Sequence, residues 1–206
     1  MKNLLIALML LIMAAGAAQA STVGFDEFDG NTGTISPGYS SFSWGWNAFY
    51  IQDSYRPDSG FETGTVSPHN TLFNGYGLDL NIRRFDDSLF TFNSAYFTAA
   101  WNTSLNIDVK GYLGGSQLYG QTITVDTLSA NQFSFDFSGI DSLTLSPFGG
   151  VDFSPNDGGT GPTFVMDDFT YNEPVAVPTP EPSTAVLLLA GGSGLAGYVL
   201  FGRRRE

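Results

Sequence analysis

Four stretches of the chain alternate strictly between apolar and polar side chains. Leu105, Ile107 and Val109 alternate with Asn106, Asp108 and Lys110. Ile123 and Val125 alternate with Thr122, Thr124 and Asp126, and Phe133, Phe135 and Phe137 with Ser134, Asp136 and Ser138. Leu143 and Leu145 alternate with Thr144 and Ser146. A period of two puts one row of each stretch on a core and the other in water, as in antiparallel sheets packed on one side. Gly114-Gly115-Ser116 falls between two such runs and predicts a hairpin turn. No helical period competes. Residues 52–88 have weaker periodicity and predict loops with one or two irregular strands. The expected fold of residues 21–173 is all-β, a two-sheet antiparallel β-sandwich of jelly-roll type.

The two ends follow other patterns. Lys2, the apolar run Leu4 to Met13 and Ala18-Gln19-Ala20 have the order of a secretory signal peptide over residues 1–20. Residues 174–183 hold four prolines, which fix φ and withhold a backbone donor, so they predict an extended linker. Thr184 to Phe201 carries no charge. As a helix it would be roughly 27 Å long, enough to cross a hydrocarbon core. Arg203, Arg204 and Arg205 then form a basic stop, which the positive-inside rule leaves in the cytoplasm. Residues 184–206 are therefore expected to be a transmembrane helix with a basic tail.

Pro180, Glu181 and Pro182, followed by that apolar span and the arginine cluster, resemble a PEP-CTERM sorting signal. The same tail is also labelled an ice-binding protein C-terminal region, a label that describes a signal. The resemblance implies a Gram-negative bacterium that makes extracellular polysaccharide and export by the Sec route. It also implies a transient inner-membrane anchor and removal of the tail by an exosortase-like sorting protease. The protein would end at the cell surface or outside the cell.

Charge and composition narrow the function. The whole chain has net charge −12. Lys2 and the three tail arginines are half of its eight basic residues, so residues 21–182 keep Arg56, Arg83, Arg84 and Lys110 against 19 acids, a net charge near −15. Such a surface repels nucleic acid and attracts divalent cations, or serves solubility alone. With no cysteine and one histidine, His69, there is no thiol nucleophile, disulfide or histidine-rich metal cage. No Gly-x-Ser-x-Gly elbow occurs, and Gly158-Gly159-Thr160-Gly161 lacks the lysine of a phosphate loop. Carboxylate pairs, the machinery of a polysaccharide hydrolase, can be drawn anywhere among 19 acids and so discriminate little.

Two acidic segments invite a metal. In Phe164 to Tyr171, strict alternation places Asp167 on one row with Val165, Phe169 and Tyr171, where a carboxylate needs a partner. Structural calcium held by Asp167 and Asp168, with Asp26 and Glu27 from an adjoining first strand, would meet that need. The alternatives are an exposed strand end, or Arg83 or Arg84 reaching Asp167. The run from Asp152 to Gly158 resembles a calcium loop only loosely and is not an EF-hand.

Asn93 to Phe97, Val109 to Tyr112, Phe137 to Leu143 and Met166 to Phe169 resemble galactose-binding-like and carbohydrate-binding jelly rolls. That resemblance implies a β-sandwich, often with structural calcium and frequently with sugar binding. Trp44, Trp46 and Trp101 are the candidate sugar contacts, with Tyr39, Tyr50, Tyr55, Tyr76 and Tyr96 beside them. If Ser43 to Asn47 is a strand, Trp44 and Trp46 point the same way, both into the core or both out as a platform. The expectation is an exported, non-catalytic matrix protein with polysaccharide as its candidate partner. A carboxylate-based hydrolase and a purely structural matrix protein are the competing readings.

Overall fold

The computed structural model describes residues 20–154 and 158–172; the expected signal peptide up to residue 19, the expected linker, the sorting motif and the expected transmembrane helix lie outside them. Among the described residues the chain forms twelve strands and one short helix. The first six strands are β1 (Ser21–Val23), β2 (Thr32–Thr34), β3 (Phe42–Ser43), β4 (Ala48–Gln52), β5 (Asn70–Asn74) and β6 (Leu80–Arg84). Then come β7 (Phe90–Ala99), β8 (Asn102–Leu113), β9 (Ser116–Val125), β10 (Asn131–Ile140), β11 (Ser142–Asp152) and β12 (Phe164–Tyr171). Helix α1 (Gly60–Gly64) lies between β4 and β5.

The strands make two antiparallel sheets. One runs β10-β7-β12-β5-β4-β2, with β1 added along β12; the other runs β3-β6-β11-β8-β9. The expected two-sheet antiparallel sandwich is what forms. The four alternating runs are β8, β9, β10 and β11. Leu105, Ile107, Val109, Ile123, Val125, Leu143 and Leu145 all enter the shared core. Gly114 and Gly115 close the β8–β9 hairpin with Leu113 opposite Ser116, both glycines at positive φ as a primed two-residue turn requires. The first and last strands meet, with Thr22 opposite Thr170. Residues 52–88, expected to be loops with one or two irregular strands, supply two strands, β5 and β6, and α1.

The two outer faces differ in chemistry. On the second sheet it is polar. Thr122 donates to Asp108 (2.6 Å), Thr124 to Asn106 (2.8 Å) and Thr144 to Asn81 (2.9 Å) across neighbouring strands. The first sheet instead carries a second apolar cluster on its outer face, made of Ile51, Phe61, Ala100, Trp101 and Val165 with Phe73 packed on it. Helix α1 covers part of this cluster. It sits so close to the β7–β8 connection that a Cβ on Gly60 would lie 1.7 Å from the Ala99 carbonyl oxygen.

Two expectations from strict alternation are corrected. Asp168 has φ of 50°, and the β12–β7 register shifts between Asp167 and Thr170. This bulge returns Phe169 to the core row with Phe164 and Met166. Asp167 stays with Val165 on the opposite, outer face, so it does not share a row with Phe169 and Tyr171. The second correction concerns the tryptophans. Strand β3 ends at Ser43, and Gly45 has φ of 87°. A backbone turn at that glycine breaks the alternation, so Trp44 and Trp46 point opposite ways.

Candidate functional site

Trp44 is 1 % exposed and sits in the core. Its ring meets Phe25 and Phe169 edge-on, each at 5.2 Å between centroids, and its indole N–H donates to the Tyr39 carbonyl at 3.0 Å. Burial of a tryptophan requires such a partner. Trp46, two residues on, is 73 % exposed. Trp101 is 8 % exposed and belongs to the outer apolar cluster of the first sheet. The three candidate sugar contacts thus divide into one core residue, one fully presented ring and one ring at the edge of a cleft.

Trp46 does not stand alone. Tyr76, 77 % exposed, stacks against it with centroids 6.0 Å apart and planes 28° apart. Two large rings side by side in water are not a product of core packing, because hydration penalises such exposure. Tyr76 is held there at φ of 63°, in the left-handed region, flanked by Gly75 and Gly77. For a non-glycine residue that conformation costs on the order of 1 kcal/mol or more.

Buried amides bring the two loops together. Asn47 is buried, and its Nδ2 donates to the Asp79 carbonyl at 3.1 Å. The Asn47 carbonyl accepts from Gly75 N at 2.7 Å. Asn74 Nδ2 donates to the Leu78 carbonyl (2.8 Å), and its Oδ1 accepts from Phe164 N (2.7 Å). These bonds tie the β3–β4 and β5–β6 loops to each other and to β12. Gly75 is required by close approach: a Cβ there would lie 2.3 Å from the Phe49 ring.

From Tyr76 the rings continue across the outer face of the first sheet. Tyr76 meets Phe49 at 6.1 Å, Phe49 stacks on Phe73 at 5.5 Å, Phe73 meets Phe61 at 5.2 Å, and Phe61 meets Trp101 at 5.1 Å. Strand alternation puts Phe49 and Phe73 on this face, opposite each other in the β4–β5 pairing. The strip ends at a cleft of about 270 Å³ bordered by Ile51, Tyr55, Arg56, Phe61, Phe73 and Trp101, with Thr32 and Thr163 completing it. Among the described residues its lining contains no carboxylate. Phe49, Phe61, Phe73 and Arg56 were not singled out by the sequence pattern, because single aromatics in irregular segments give no periodic signal. The Gly-Tyr-Gly setting of Tyr76 was the one local mark available.

The remaining tyrosines lie elsewhere. Tyr50 stacks on Phe28 at 4.5 Å and donates to the Asp29 carbonyl, and Tyr39 packs on Phe28 and Phe25. Tyr39 Oη donates to Glu27, and burial, then that carboxylate, push its pKa far above the ordinary phenol value.

The four acids expected to hold calcium divide among separate partners. Asp167 is fully buried. Its Oδ2 accepts from Val66 N (2.7 Å) and Ser67 N (2.9 Å), and its Oδ1 from Asp168 N (2.8 Å) and Ser67 Oγ (3.1 Å). Burial raises its pKa to about 6 while the backbone N–H groups of Ser67, Val66 and Asp168 pull the other way. Asp26 accepts from Asn70 N at 3.1 Å, and Glu27 accepts from Tyr39. Asp168 is raised by burial and by the charge of Asp26, which faces it. Arg83 and Arg84 pair with Asp87 and Asp86, not with Asp167. Among the described residues no three Asp, Glu or His side chains are grouped to hold a metal. The partner that Asp167 finds is the peptide backbone of the loop after α1.

What forms is an all-β sandwich with one aromatic outer face. Residues 178–205 match the PEP-CTERM protein-sorting motif, and the match includes Pro180, Glu181, Pro182 and the three arginines. The chain carries that sorting signal, which implies export and exosortase-mediated sorting to the cell surface. It has no significant match among curated proteins. Among solved structures it is similar to a DUF4465 family protein from Bacteroides ovatus, at 11 % identity and TM-score 0.43, over 77 % of this chain and 90 % of that one. It is also similar to the family 11 carbohydrate-binding module of the cellulosomal cellulase Lic26A-Cel5E of Clostridium thermocellum. There the identity is 12 % and the TM-score 0.35, over 80 % of this chain and all of the module. A CBM51 from Clostridium perfringens, solved with methyl-galactose, gives 13 % identity and TM-score 0.35 over 73 % of this chain and 99 % of that one.

Proposed function

We propose that the protein is an exported, non-catalytic carbohydrate-binding component of the cell surface or extracellular matrix, associated with exopolysaccharide. The observation that carries this reading is the Trp46–Tyr76 stack: two rings, both about three-quarters exposed, one of them in a strained backbone conformation. Strain and apolar exposure together are costs that stability does not select. A sugar ring has an apolar face of C–H groups that can lie on such a surface while its hydroxyls stay in water. The aromatic strip behind the pair extends that surface across the sheet toward the cleft. The sorting motif supports a location where polysaccharide is met.

Among the described residues the cleft is lined without a carboxylate for general acid or base work, which supports binding over hydrolysis. Asp167, the acid with a pKa raised to about 6, is fully buried beneath the loop after α1 and cannot touch a substrate. The test is binding of the full-length chain to the polysaccharide of its own cell surface, in wild type and in Trp46→Ala and Tyr76→Ala variants. Retention by the wild type, with loss in both variants at unchanged melting temperature, is the expected result. Equal retention in all three, or release of reducing ends by the wild type, would overturn the reading.

A further inference from the structure

The described residues contain four basic side chains against a large excess of acids. Three of them are paired: Arg83 with Asp87 at 3.3 Å, Arg84 with Asp86 at 3.8 Å and Lys110 with Asp108 at 3.0 Å. Arg56 makes no ion pair among the described residues. Its guanidinium lies 5.6 Å from the Tyr55 ring centroid and borders the cleft at the end of the aromatic strip. Among the described residues no acid lines that cleft. Asp53 accepts from Ser54 N (2.5 Å), Glu62 accepts from Asp58 N (2.9 Å), and Asp58 is exposed on the same loop.

We infer that the cleft bordered by Arg56 and Trp101 takes a glycan unit bearing a carboxylate, so that the ligand is an acidic, uronate-containing polysaccharide. This rests on the carbohydrate reading above and names its substrate class. The chemistry is complementary at both ends of such a unit. Half-buried Phe73 and the exposed edge of Trp101 offer apolar surface to the ring, and the guanidinium offers paired N–H donors to the carboxylate. A volume near the lower limit of small-ligand pockets suits one or two rings, not a long segment. The domain's overall negative charge does not forbid this. Beyond a Debye length of about 8 Å at physiological ionic strength the remote acids are screened, while a direct ion pair is not. The same charge removes the trivial explanation, since a strongly acidic protein has no general affinity for a polyanion.

The experiment uses the immobilised full-length chain. The probes are polygalacturonate, alginate and hyaluronate, each paired with its carboxyl-reduced form, which keeps backbone and linkage but loses the charge. At least one acidic form is expected to bind about tenfold tighter than its reduced partner, the size of one charge-assisted contact. Arg56→Gln is expected to abolish that difference. Equal binding of both forms in every pair would overturn the inference and leave the platform reading standing. An acid preference that survives in Arg56→Gln would overturn the role of Arg56. Failure to bind any form would overturn both. Arg56 is exposed, so the variant should fold as wild type, which far-UV circular dichroism checks.

Discussion

The indole of Trp46 and the phenol ring of Tyr76 stack 6.0 Å apart in open solvent, although they belong to different loops. Neither loop would hold its ring there alone. The Asn47 carbonyl accepting from Gly75 N, with the Asn47 side chain on Asp79, sets both loops in one geometry.

Trp44 and Trp46 should therefore respond in opposite ways to truncation. Trp44→Ala empties a core site and is expected to cost about 3–5 kcal/mol of stability. Trp46→Ala removes an exposed ring and is expected to change stability by no more than about 0.5 kcal/mol. Urea denaturation of both variants reads the contrast. Similar losses would mean that Trp46 is a packing residue.

Asn47→Ala leaves the Asp79 carbonyl without its side-chain donor. A loss of roughly 0.5–1.5 kcal/mol is expected from the missing hydrogen bond. The variant should also bind polysaccharide more weakly than wild type with Trp46 and Tyr76 both intact, because the rings lose their fixed spacing. Melting and retention assays on one preparation test the two effects together.

Asp167 gives stability a definite pH slope. Its folded pKa of about 6 lies above the ordinary carboxylate value of 3.8, so the folded chain binds this proton more tightly than the unfolded chain. Its contribution is most favourable below about pH 4, falls as pH rises to about 6, and is flat above that. The full loss is on the order of 3 kcal/mol, from about 1.4 kcal/mol per pKa unit. Exposed Asp86 and Asp126 and half-buried Asp108 and Asp141, all lowered by hydrogen bonds, slope the other way at more acid pH. The difference between wild type and Asp167→Asn isolates the buried group. Measured by urea denaturation at pH 4, 5, 6 and 7, the wild-type advantage should shrink with rising pH. An advantage that grows over this range would place the folded pKa below the unfolded one.

Gly60→Ala tests the seating of α1. The new methyl would fall on the Ala99 carbonyl oxygen, a backbone atom that cannot yield cheaply. The helix must lift from the β7–β8 connection, and Phe61 with it. A loss of about 2 kcal/mol or more is expected. Quenching of Trp101 fluorescence by acrylamide should rise, because Phe61 packs on that ring.

Strands β8 to β11 were legible as written, because each has one wet face and each inward residue pays a clear penalty if it turns outward. The sorting tail was legible because its features are ordered along the chain and need no folding to be recognised. Asp167 was misplaced because alternation was carried through Asp168. Aspartate tolerates the left-handed region better than most residues, and nothing local said that it would enter it there. Trp44 and Trp46 were misread for the same reason at Gly45. At these two positions a positive φ shifts the face of the side chains that follow, and period-two reasoning has no memory of it.

The amino-acid order by itself determined a two-sheet antiparallel sandwich, a strongly acidic exported domain and the signal that sorts it. Those follow from local preference and composition, which act along the chain. Which tryptophan is core and which meets solvent, where Asp167 finds its donors, and that Arg56 stands beside an aromatic cleft were decided only by tertiary structure. Each depends on loops distant in sequence meeting at hydrogen-bond or van der Waals range, and that distance is set by the packing of the whole sandwich.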